Sequence, residues 1–197
     1  MSTFRKTAFI VLAASGAAFV LYVIAQSLST PKAARNPLAA YAVGEMQELV
    51  LLKSPPKQPL AEFDGPNGKV TLADFRGRTV LLNLWASWCG PCVEELPSLD
   101  RLQGELGSDD FMVLAVDMDR SKAEAEAFLA RAGIKNLPLY HDNRFALAQK
   151  LSVPGLPSGL PITVLYDKDG IERARLSGGA DWNGEEARAL INAVAGK

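Results

Sequence analysis

The sequence predicts an α/β domain in which helices cover both faces of a central sheet, with a membrane-spanning helix before it. Two uninterrupted apolar runs, Thr79–Trp85 and Phe111–Val116, have the pattern of strands that are buried on both faces. An amphipathic helical pattern follows each run, and this alternation is typical of the α/β class. The third observation is an apolar run of eighteen residues, Ala8–Ala25, near the amino terminus.

The run Ala8–Ala25 predicts a membrane anchor over residues 1–28. No charged side chain lies between Lys6 and Lys32. As a helix, the run would span about 27 Å, close to the roughly 30 Å of a hydrocarbon core. A cleaved signal peptide is the alternative, because Ala25-Gln26-Ser27 offers small residues for cleavage. We favour the anchor, since the apolar run of a signal peptide is usually shorter, about 7–15 residues.

Residues 29–58 are rich in proline and predict a tether between the anchor and a folded domain over residues 59–197. The Pro55-Pro56 pair interrupts any continuous element. Before it, residues 38–52 have the spacing of one short amphipathic helix. The domain, at about 140 residues, is long enough to bury a proper core.

Turn and capping signals give the order of elements in the domain. Asn67-Gly68 predicts a hairpin turn, and Ser121 is the expected N-cap of a helix that Gly133 ends. The predicted elements are the strand Thr79–Trp85, a helix from Pro91, the strand Phe111–Val116, a helix from Ser121 to Arg131, a short strand Leu137–Tyr140, a helix Arg144–Leu151, the hairpin strands Ile162–Tyr166 and Ile171–Leu176, and a final helix Glu185–Val194.

Composition excludes several classes of protein. A hydrophobic content of 48% excludes a disordered chain, and two cysteines cannot form the framework of a disulfide-rich mini-protein. The chain has 21 basic and 22 acidic residues. Four of the basic residues and no acidic residue fall within residues 1–37, so the remainder has a net charge of −5. An acidic domain of this kind is not expected to bind nucleic acid.

Cys89 and Cys92 indicate redox chemistry. They follow a buried strand within Trp88-Cys89-Gly90-Pro91-Cys92, where a helix begins. A thiol at a helix N-terminus faces the positive end of the helix dipole, which favours the thiolate, so we expect Cys89 to be the nucleophile. Cys92, one turn further along, is placed to resolve a mixed disulfide that Cys89 forms with a substrate. The pair is therefore predicted to exchange thiols and disulfides.

Three other interpretations of the cysteine pair remain. A purely structural disulfide is one, although a bridge that encloses two residues stabilises a fold little. A zinc site is another, but it would need further ligands, and the chain has no third cysteine and a single histidine, His141. Two buried free thiols are the third. The junction of strand and helix beside Trp88 favours redox exchange over all three.

The segment WASWCGPC resembles the thioredoxin superfamily, and LLNLWASWCGPCVEELPSLD resembles its TlpA/ResA branch of membrane-anchored thiol:disulfide oxidoreductases, the TlpA type most closely. The similarity continues through VLAVDMD, GLPITVLYDKDG and GGADWNGEEA, and thus covers residues 60–197. The resemblance implies a thioredoxin-like fold, with a mixed sheet of four to five strands flanked by helices. It also implies an inserted helix-strand unit, here about residues 119–153.

The resemblance also implies roles for residues around the cysteines. Trp88, Gly90 and Pro91 would surround the active site, with Cys89 and Cys92 as its redox disulfide. Leu160-Pro161 would correspond to a cis proline beside the cysteines, which turns the backbone outward so that an extended substrate can pair with it. From the residues alone, a trans proline that opens a strand is the alternative for this segment.

Glu95 and Asn83 complete the predicted site. Glu95 follows Cys92 by three residues and shares its helix face, so its carboxylate could accept or relay the Cys92 proton. In the related branch a glutamate at this position tunes the site; the alternative is a solvated charge in the first helical turns. Many thioredoxins have a buried aspartate six residues before the first cysteine. Asn83 occupies that position here and cannot ionise.

These observations predict a protein-disulfide reductase that uses no cofactor other than its disulfide. The resemblance implies a single-pass protein of the bacterial inner membrane with its catalytic domain in the periplasm, reduced by a transmembrane electron donor. It further implies disulfide-bearing protein substrates, such as a copper chaperone or a cytochrome oxidase subunit, during copper-site assembly. A reductant in cytochrome c maturation is one alternative, and a docking module with an idle disulfide is another.

Overall fold

A mixed sheet of seven strands lies at the centre of the structure, a computed structural model that describes residues 36–196. The strands are β1 (Phe63–Gly65), β2 (Gly68–Val70), β3 (Thr79–Trp85), β4 (Phe111–Asp117), β5 (Tyr140–His141), β6 (Ile162–Tyr166) and β7 (Glu172–Ser177). Their order across the sheet is β2-β1-β5-β4-β3-β6-β7. β4 is parallel to β3 and to β5, and all other neighbouring pairs are antiparallel. The predicted α/β class is confirmed.

Four α-helices flank this sheet within residues 36–196: α1 (Gly90–Leu106), α2 (Lys122–Ala132), α3 (Ala146–Leu151) and α4 (Glu185–Ala195). Every residue of β3 and β4 is buried, so the central strands are covered on both faces, as their apolar sequences predict. The caps of α2 are also as predicted. The Ser121 hydroxyl accepts the Glu124 amide, and Gly133 ends the helix with a left-handed φ of 70°.

The sheet has more strands than the four to five that the resemblance implies. The hairpin β1–β2, which turns at Asn67-Gly68, adds two strands because β1 pairs with the edge of β5 opposite β4. β5 itself belongs to the inserted unit and is only two residues long, shorter than the predicted strand Leu137–Tyr140. α3 also starts later than predicted, because Phe145 has a left-handed φ of 56° that cannot continue a helix.

The single helix predicted over residues 38–52 is wrong. Two short 3-10 helices, Pro37–Tyr41 and Gly44–Met46, occupy this segment instead, because Gly44 has a φ of 57° that interrupts helical geometry. Residues 38–58, which the sequence assigns to a tether, lie against the domain. Met46 is buried, and Val50 exchanges two backbone hydrogen bonds with Arg175 of β7.

No helix within residues 36–196 is both long and apolar enough to cross a bilayer. The predicted anchor, residues 1–28, lies outside the described residues.

Candidate active site

Cys89 stands at the junction between the central strand β3 and helix α1. Its backbone is extended, with φ −92° and ψ 104°, and its carbonyl accepts the amide of Val93 to start the helix. Pro91 falls in the first turn, where a missing amide hydrogen costs nothing. No acidic residue lies in that turn to offset the positive end of the helix dipole. The sequence thus folds so that Cys89 is the N-cap residue of α1, beside the positive end of the helix dipole.

Cys89 and Cys92 form a disulfide bond, with their Cα atoms 5.3 Å apart. Cys89 retains 7% of its surface exposure, whereas Cys92 is fully buried. Cys89 is therefore the more accessible cysteine of the two, and Cys92 is shielded from a protein substrate. The assignment of Cys89 as nucleophile and Cys92 as resolving thiol stays a prediction, which this difference in exposure supports.

The other predicted surrounding residues lie at the same end of the sheet. Trp88 is 64% exposed, and Gly90 and Pro91 are exposed beside it. The Leu160–Pro161 peptide is cis, which is the isomer that the resemblance implies. Pro161 immediately precedes Ile162, which pairs with Leu84 at the end of β3 that leads into the cysteine loop.

Glu95 is buried, with 3% of its surface exposed, which contradicts the alternative of a solvated charge. Its Oε1 accepts a hydrogen bond from Asn83 Nδ2 at 2.7 Å. Its Oε2 accepts hydrogen bonds from Trp182 Nε1 at 3.0 Å and from the Ala180 amide at 3.2 Å. Burial raises the pKa of Glu95 from its ordinary 4.5 to about 7, and the three hydrogen bonds oppose that rise. A carboxyl group with this pKa can take up and release a proton near neutral pH.

Asn83 is a direct partner of Glu95, a link that the sequence does not reveal. The Asn83 side chain lies in β3 and is fully buried, and its amide also donates to Thr163 Oγ1 at 2.9 Å. A neutral amide at this position therefore supports the ionisable Glu95 in place of a second carboxylate. Trp182 is a further site residue that no sequence pattern singles out, although it lies within the stretch GGADWNGEEA that carries the family resemblance.

A second buried polar cluster holds the loop that precedes Cys89. The Asp119 carboxylate accepts the backbone amide of Ser87, at 3.1 Å to Oδ1 and 3.3 Å to Oδ2. Asp117 Oδ1 accepts the Asp119 amide, and Asp117 Oδ2 lies 2.6 Å from His141 Nδ1. All three side chains are buried. No sequence pattern indicates a role for these residues, because only the fold brings β4, β5 and the cysteine loop together.

The electrostatics of this cluster centre on Asp117. Burial raises its pKa from an ordinary 3.8 to about 7, and the hydrogen bond with His141 opposes the rise. Within residues 36–196 no group of three or more His, Cys, Asp or Glu side chains has the arrangement of a metal site. Through the hydrogen bonds from the Ser87 amide to Asp119, the cluster supports the loop that carries Ser87 and Trp88.

The comparison with known families gives one match that covers most of the chain. The model of the AhpC/TSA family matches residues 56–175, which include Cys89, Cys92, Glu95 and Pro161. Among curated relatives, the thiol-disulfide oxidoreductase ResA of Geobacillus thermodenitrificans is 32% identical over 119 residues, which are 60% of this chain and 64% of that protein. ResA of Bacillus anthracis is 28% identical over 126 residues, 64% of this chain and 69% of that protein. The chain thus spans less than two thirds of the Geobacillus relative.

Solved structures with the same fold include proteins of thiol and disulfide exchange. One from Chlorobium tepidum, provisionally named thiol:disulfide interchange protein DsbE, gives a TM-score of 0.64 at 28% identity, covering 73% of this chain and 99% of that one. A secreted thiol-disulfide isomerase from Corynebacterium glutamicum gives 0.61 at 25% identity, covering 75% of this chain and 89% of that one. These matches establish the thioredoxin-like fold.

Proposed function

Because the chain belongs to the AhpC/TSA family, in its thioredoxin-like group, we propose that it is a thiol:disulfide oxidoreductase that reduces the disulfides of other proteins. The observation that carries this proposal is the Cys89–Cys92 disulfide at the N-terminus of α1, with Cys89 7% exposed and Cys92 fully buried. The relatives named thiol-disulfide oxidoreductase support the same activity.

The proposed reaction is a two-electron exchange. The Cys89 thiolate attacks one sulfur of the substrate disulfide, which forms a mixed disulfide and releases the other substrate sulfur as a thiolate. Cys92 then loses its proton and attacks the Cys89 sulfur, which releases the second substrate thiolate and leaves the Cys89–Cys92 disulfide. The substrate disulfide gains two electrons, which the cysteine pair loses. The protein gives up the one proton of Cys92, and the released substrate thiolates take up protons from solvent.

Glu95 accepts the Cys92 proton in this scheme. The carboxylate lies three residues along the same helix, it is buried, and its pKa of about 7 suits proton transfer at neutral pH. Without Glu95, the Cys92 thiol would need another proton acceptor, because it is buried away from water. Asn83 and Trp182 hold the carboxylate in place through their hydrogen bonds.

A trapping experiment tests the exchange. In Cys92→Ser the mixed disulfide cannot be resolved, so we expect covalent complexes with substrate proteins on a non-reducing gel. Cys89→Ser is the matched control and should trap nothing. If neither variant traps a protein, and the Cys89→Ser protein still functions in the cell, the domain is a docking module with an idle disulfide.

We propose that the enzyme works as a reductant. Its reduction potential decides this, because reducing thioredoxins have values of about −270 mV, whereas strong periplasmic oxidants lie near −120 mV. The measurement is equilibration of the Cys89–Cys92 pair with a glutathione or dithiothreitol buffer, followed by alkylation. A value near −120 mV would assign the protein to disulfide formation.

The proposed location is the periplasmic face of the bacterial inner membrane, with residues 1–28 as the anchor. The apolar run Ala8–Ala25 supports an anchor, and an oxidising compartment explains why a reductant would need electrons from a transmembrane donor. Fractionation and protease protection of the full chain test this. Cleavage after Ala25, or digestion only in lysed spheroplasts, would contradict it.

The proposed pathway is the assembly of the copper site of cytochrome oxidase, with a copper chaperone or an oxidase subunit as substrate. It is supported by the resemblance of the cysteine segment to the TlpA type. Identification of the proteins that Cys92→Ser traps tests the pathway. Capture of apocytochrome c, or of a protein that binds it, would instead place the enzyme in cytochrome c maturation.

A further inference from the structure

A groove of about 700 Å³ lies beside the active-site loop and takes no part in the sulfur exchange itself. It is lined by Ser87, Trp88, Met118, Arg120, Glu124 and Phe145. Ser87 and Trp88 immediately precede Cys89, so the groove adjoins the nucleophile. A ligand in this groove therefore lies next to Cys89, whose sulfur attacks the substrate disulfide.

Exposed apolar side chains are concentrated in this groove. Within residues 36–196, four large hydrophobic side chains are exposed: Val43, Leu60, Trp88 and Phe145. Two of the four, Trp88 and Phe145, line the same groove. Clustered exposed apolar groups mark interaction sites, and aromatic side chains are enriched among the residues that dominate binding energy.

Phe145 is held in a strained conformation. Its φ is 56° and its ψ is 26°, a left-handed geometry that is unfavourable for a bulky side chain. The backbone is fixed on both sides, since the Phe145 amide donates to the Asp142 carbonyl at 3.1 Å and its own carbonyl accepts the Gln149 amide at 3.0 Å. The fold thus accepts backbone strain at a residue whose side chain is 36% exposed. Strain that persists in this way is typical of functional sites.

Charge adds a second feature to the groove. Arg120 is exposed, and within the described residues its guanidinium has no hydrogen-bond or ion-pair partner. Glu124, in contrast, already accepts the Ser121 amide and lies in the first turn of α2, where the helix dipole offsets its charge. The groove therefore offers an unpaired cation next to two aromatic rings.

We propose that this groove binds the polypeptide stretch that flanks the disulfide-bonded cysteine of a protein substrate, with an aromatic or long aliphatic side chain against Trp88 and Phe145 and a carboxylate against Arg120. The inference rests on the proposed function. We assign this occupant because the groove adjoins Cys89. A polypeptide segment in the groove can therefore belong to the same substrate as the disulfide that Cys89 attacks. The groove then gives the enzyme a preference among disulfides that the cysteines alone cannot supply.

The test compares disulfides of increasing complexity. The probes are symmetric disulfides of a short peptide with Phe and Glu next to its cysteine, of the same peptide with Ser for Phe, and of the same peptide with Lys for Glu. Hydroxyethyl disulfide is the small probe, since it cannot reach the groove. Reduced protein is mixed with each probe, and the second-order rate constant is followed as loss of the peptide disulfide by chromatography.

We expect the wild-type protein to reduce the Phe/Glu peptide about fivefold faster than the Ser/Glu peptide, a ratio within the range for one aromatic pair. Phe145→Asn should abolish this ratio, because Asn removes the ring yet tolerates the left-handed backbone. Leu60→Ser is the matched control, an exposed apolar residue outside the groove, and should preserve the ratio. Arg120→Glu should reverse the preference between the Glu and Lys peptides.

Three outcomes overturn the inference. The first is a wild-type protein that reduces hydroxyethyl disulfide but does not distinguish the peptides. The second is a Phe145→Asn protein that slows all probes by one common factor, with a lowered unfolding temperature, because a change in the fold would account for it. The third is an Arg120→Glu protein with unchanged charge preference. If the wild-type protein reduces no probe at all, the proposed function itself fails, and the docking inference falls with it.

Discussion

Glu95 shows how one buried carboxyl group acquires a task from its surroundings. Burial raises its pKa to about 7 against the opposing hydrogen bonds from Asn83 and Trp182, whereas the neighbouring Glu94 is exposed. Two glutamates that are adjacent in sequence thus have different surroundings. The difference arises from the position of each on α1, because only Glu95 faces the core beside Cys92.

Glu95→Gln is expected to flatten the pH dependence of stability. The folded-state pKa of Glu95 lies above its unfolded value of about 4.5, so the folded protein binds the proton more tightly. The stability that this proton contributes is present below pH 4.5 and is lost as the pH rises to about 7. Denaturant unfolding of the oxidised protein from pH 4 to pH 8 should show the wild type losing about 1–3 kcal/mol more than Glu95→Gln.

Two controls separate Glu95 from other groups in that experiment. Glu94→Gln removes an exposed carboxylate on the same helix turn and should keep the wild-type pH dependence. Asp117 also has a pKa raised to about 7, so a residual slope will remain in Glu95→Gln. Identical slopes for wild type and Glu95→Gln would mean that Glu95 does not titrate in this range. In the reduced protein, alkylation rates of Cys92 against pH should shift in Glu95→Gln and not in Glu94→Gln.

At the scale of elements, the loop between β3 and α1 is held in place by a carboxylate from the loop that follows β4. Asp119, which follows β4, accepts the Ser87 amide, and Asp117 supports Asp119 in turn. Asp117 and Asp119 thereby fix the loop from which Trp88 and Cys89 project. The positions of the cysteines are thus set by β4 as well as by the strand and helix that contain them.

Asp119→Ala should loosen the cysteine loop. Removal of the carboxylate leaves the partly buried Ser87 amide without its acceptor, which costs about 1–3 kcal/mol. Asp119→Asn retains an acceptor oxygen and should restore most of this stability. Denaturant unfolding measures the loss, and the alkylation rate of Cys89 in the reduced protein measures the effect on the site. Equal rates and equal stabilities in Asp119→Ala and wild type would remove Asp119 from the support of the loop.

Gly44 explains why residues 38–52 do not form the single helix that the sequence predicts. Its φ of 57° suits glycine, and a Cβ atom there would lie 2.8 Å from Glu186 Oε1. Gly44→Ala should therefore cost about 1–2 kcal/mol, mainly from the left-handed backbone, since the Glu186 side chain can move aside. Gly159→Ala is the control, because that glycine lacks a positive φ and has open space around it. Thermal unfolding of both variants gives the comparison.

Local sequence patterns predict the elements better than they predict the site. β3, β4 and α2 follow from apolar runs and caps that lie within each element, and the cysteine pair is marked by its own spacing. The burial of Glu95 depends on Trp182, 87 residues away, and the Asp117–His141 pair depends on the pairing of β4 with β5. The left-handed Phe145 has no sequence signal, because such strain is imposed by the structure around it.

At the scale of the whole molecule, a buried ion pair connects three parts of the chain. Arg175 of β7 binds Glu172 through Nε at 2.5 Å and Nη2 at 2.7 Å, and its Nη1 donates to the Leu151 carbonyl at the end of α3. The Arg175 backbone pairs with Val50 of the amino-terminal segment. This residue therefore holds the edge strand, the inserted unit and the segment 38–58 together.

Arg175→Met should be strongly destabilising. It leaves the buried Glu172 carboxylate without a partner, and loss of one member of a buried pair costs about 3–5 kcal/mol. The double variant Arg175→Met, Glu172→Leu should recover part of this loss, since no unpaired charge remains. Arg173→Met changes an exposed arginine on the same strand and serves as the control. Denaturant unfolding would contradict the expectation if Arg175→Met and Arg173→Met had the same midpoint.

The backbone contacts along β7 have a consequence for how copies of this protein avoid one another. Val50 pairs with Arg175, the Pro56 carbonyl accepts the Glu172 amide, and the Gln58 amide donates to the Gly170 carbonyl. These hydrogen bonds use backbone amides and carbonyls that an uncovered edge strand would leave free to pair with another protein chain. Residues 50–58 thus act as a cover against aggregation, and a version of the protein trimmed to begin at residue 59 would expose a template for intermolecular β-pairing.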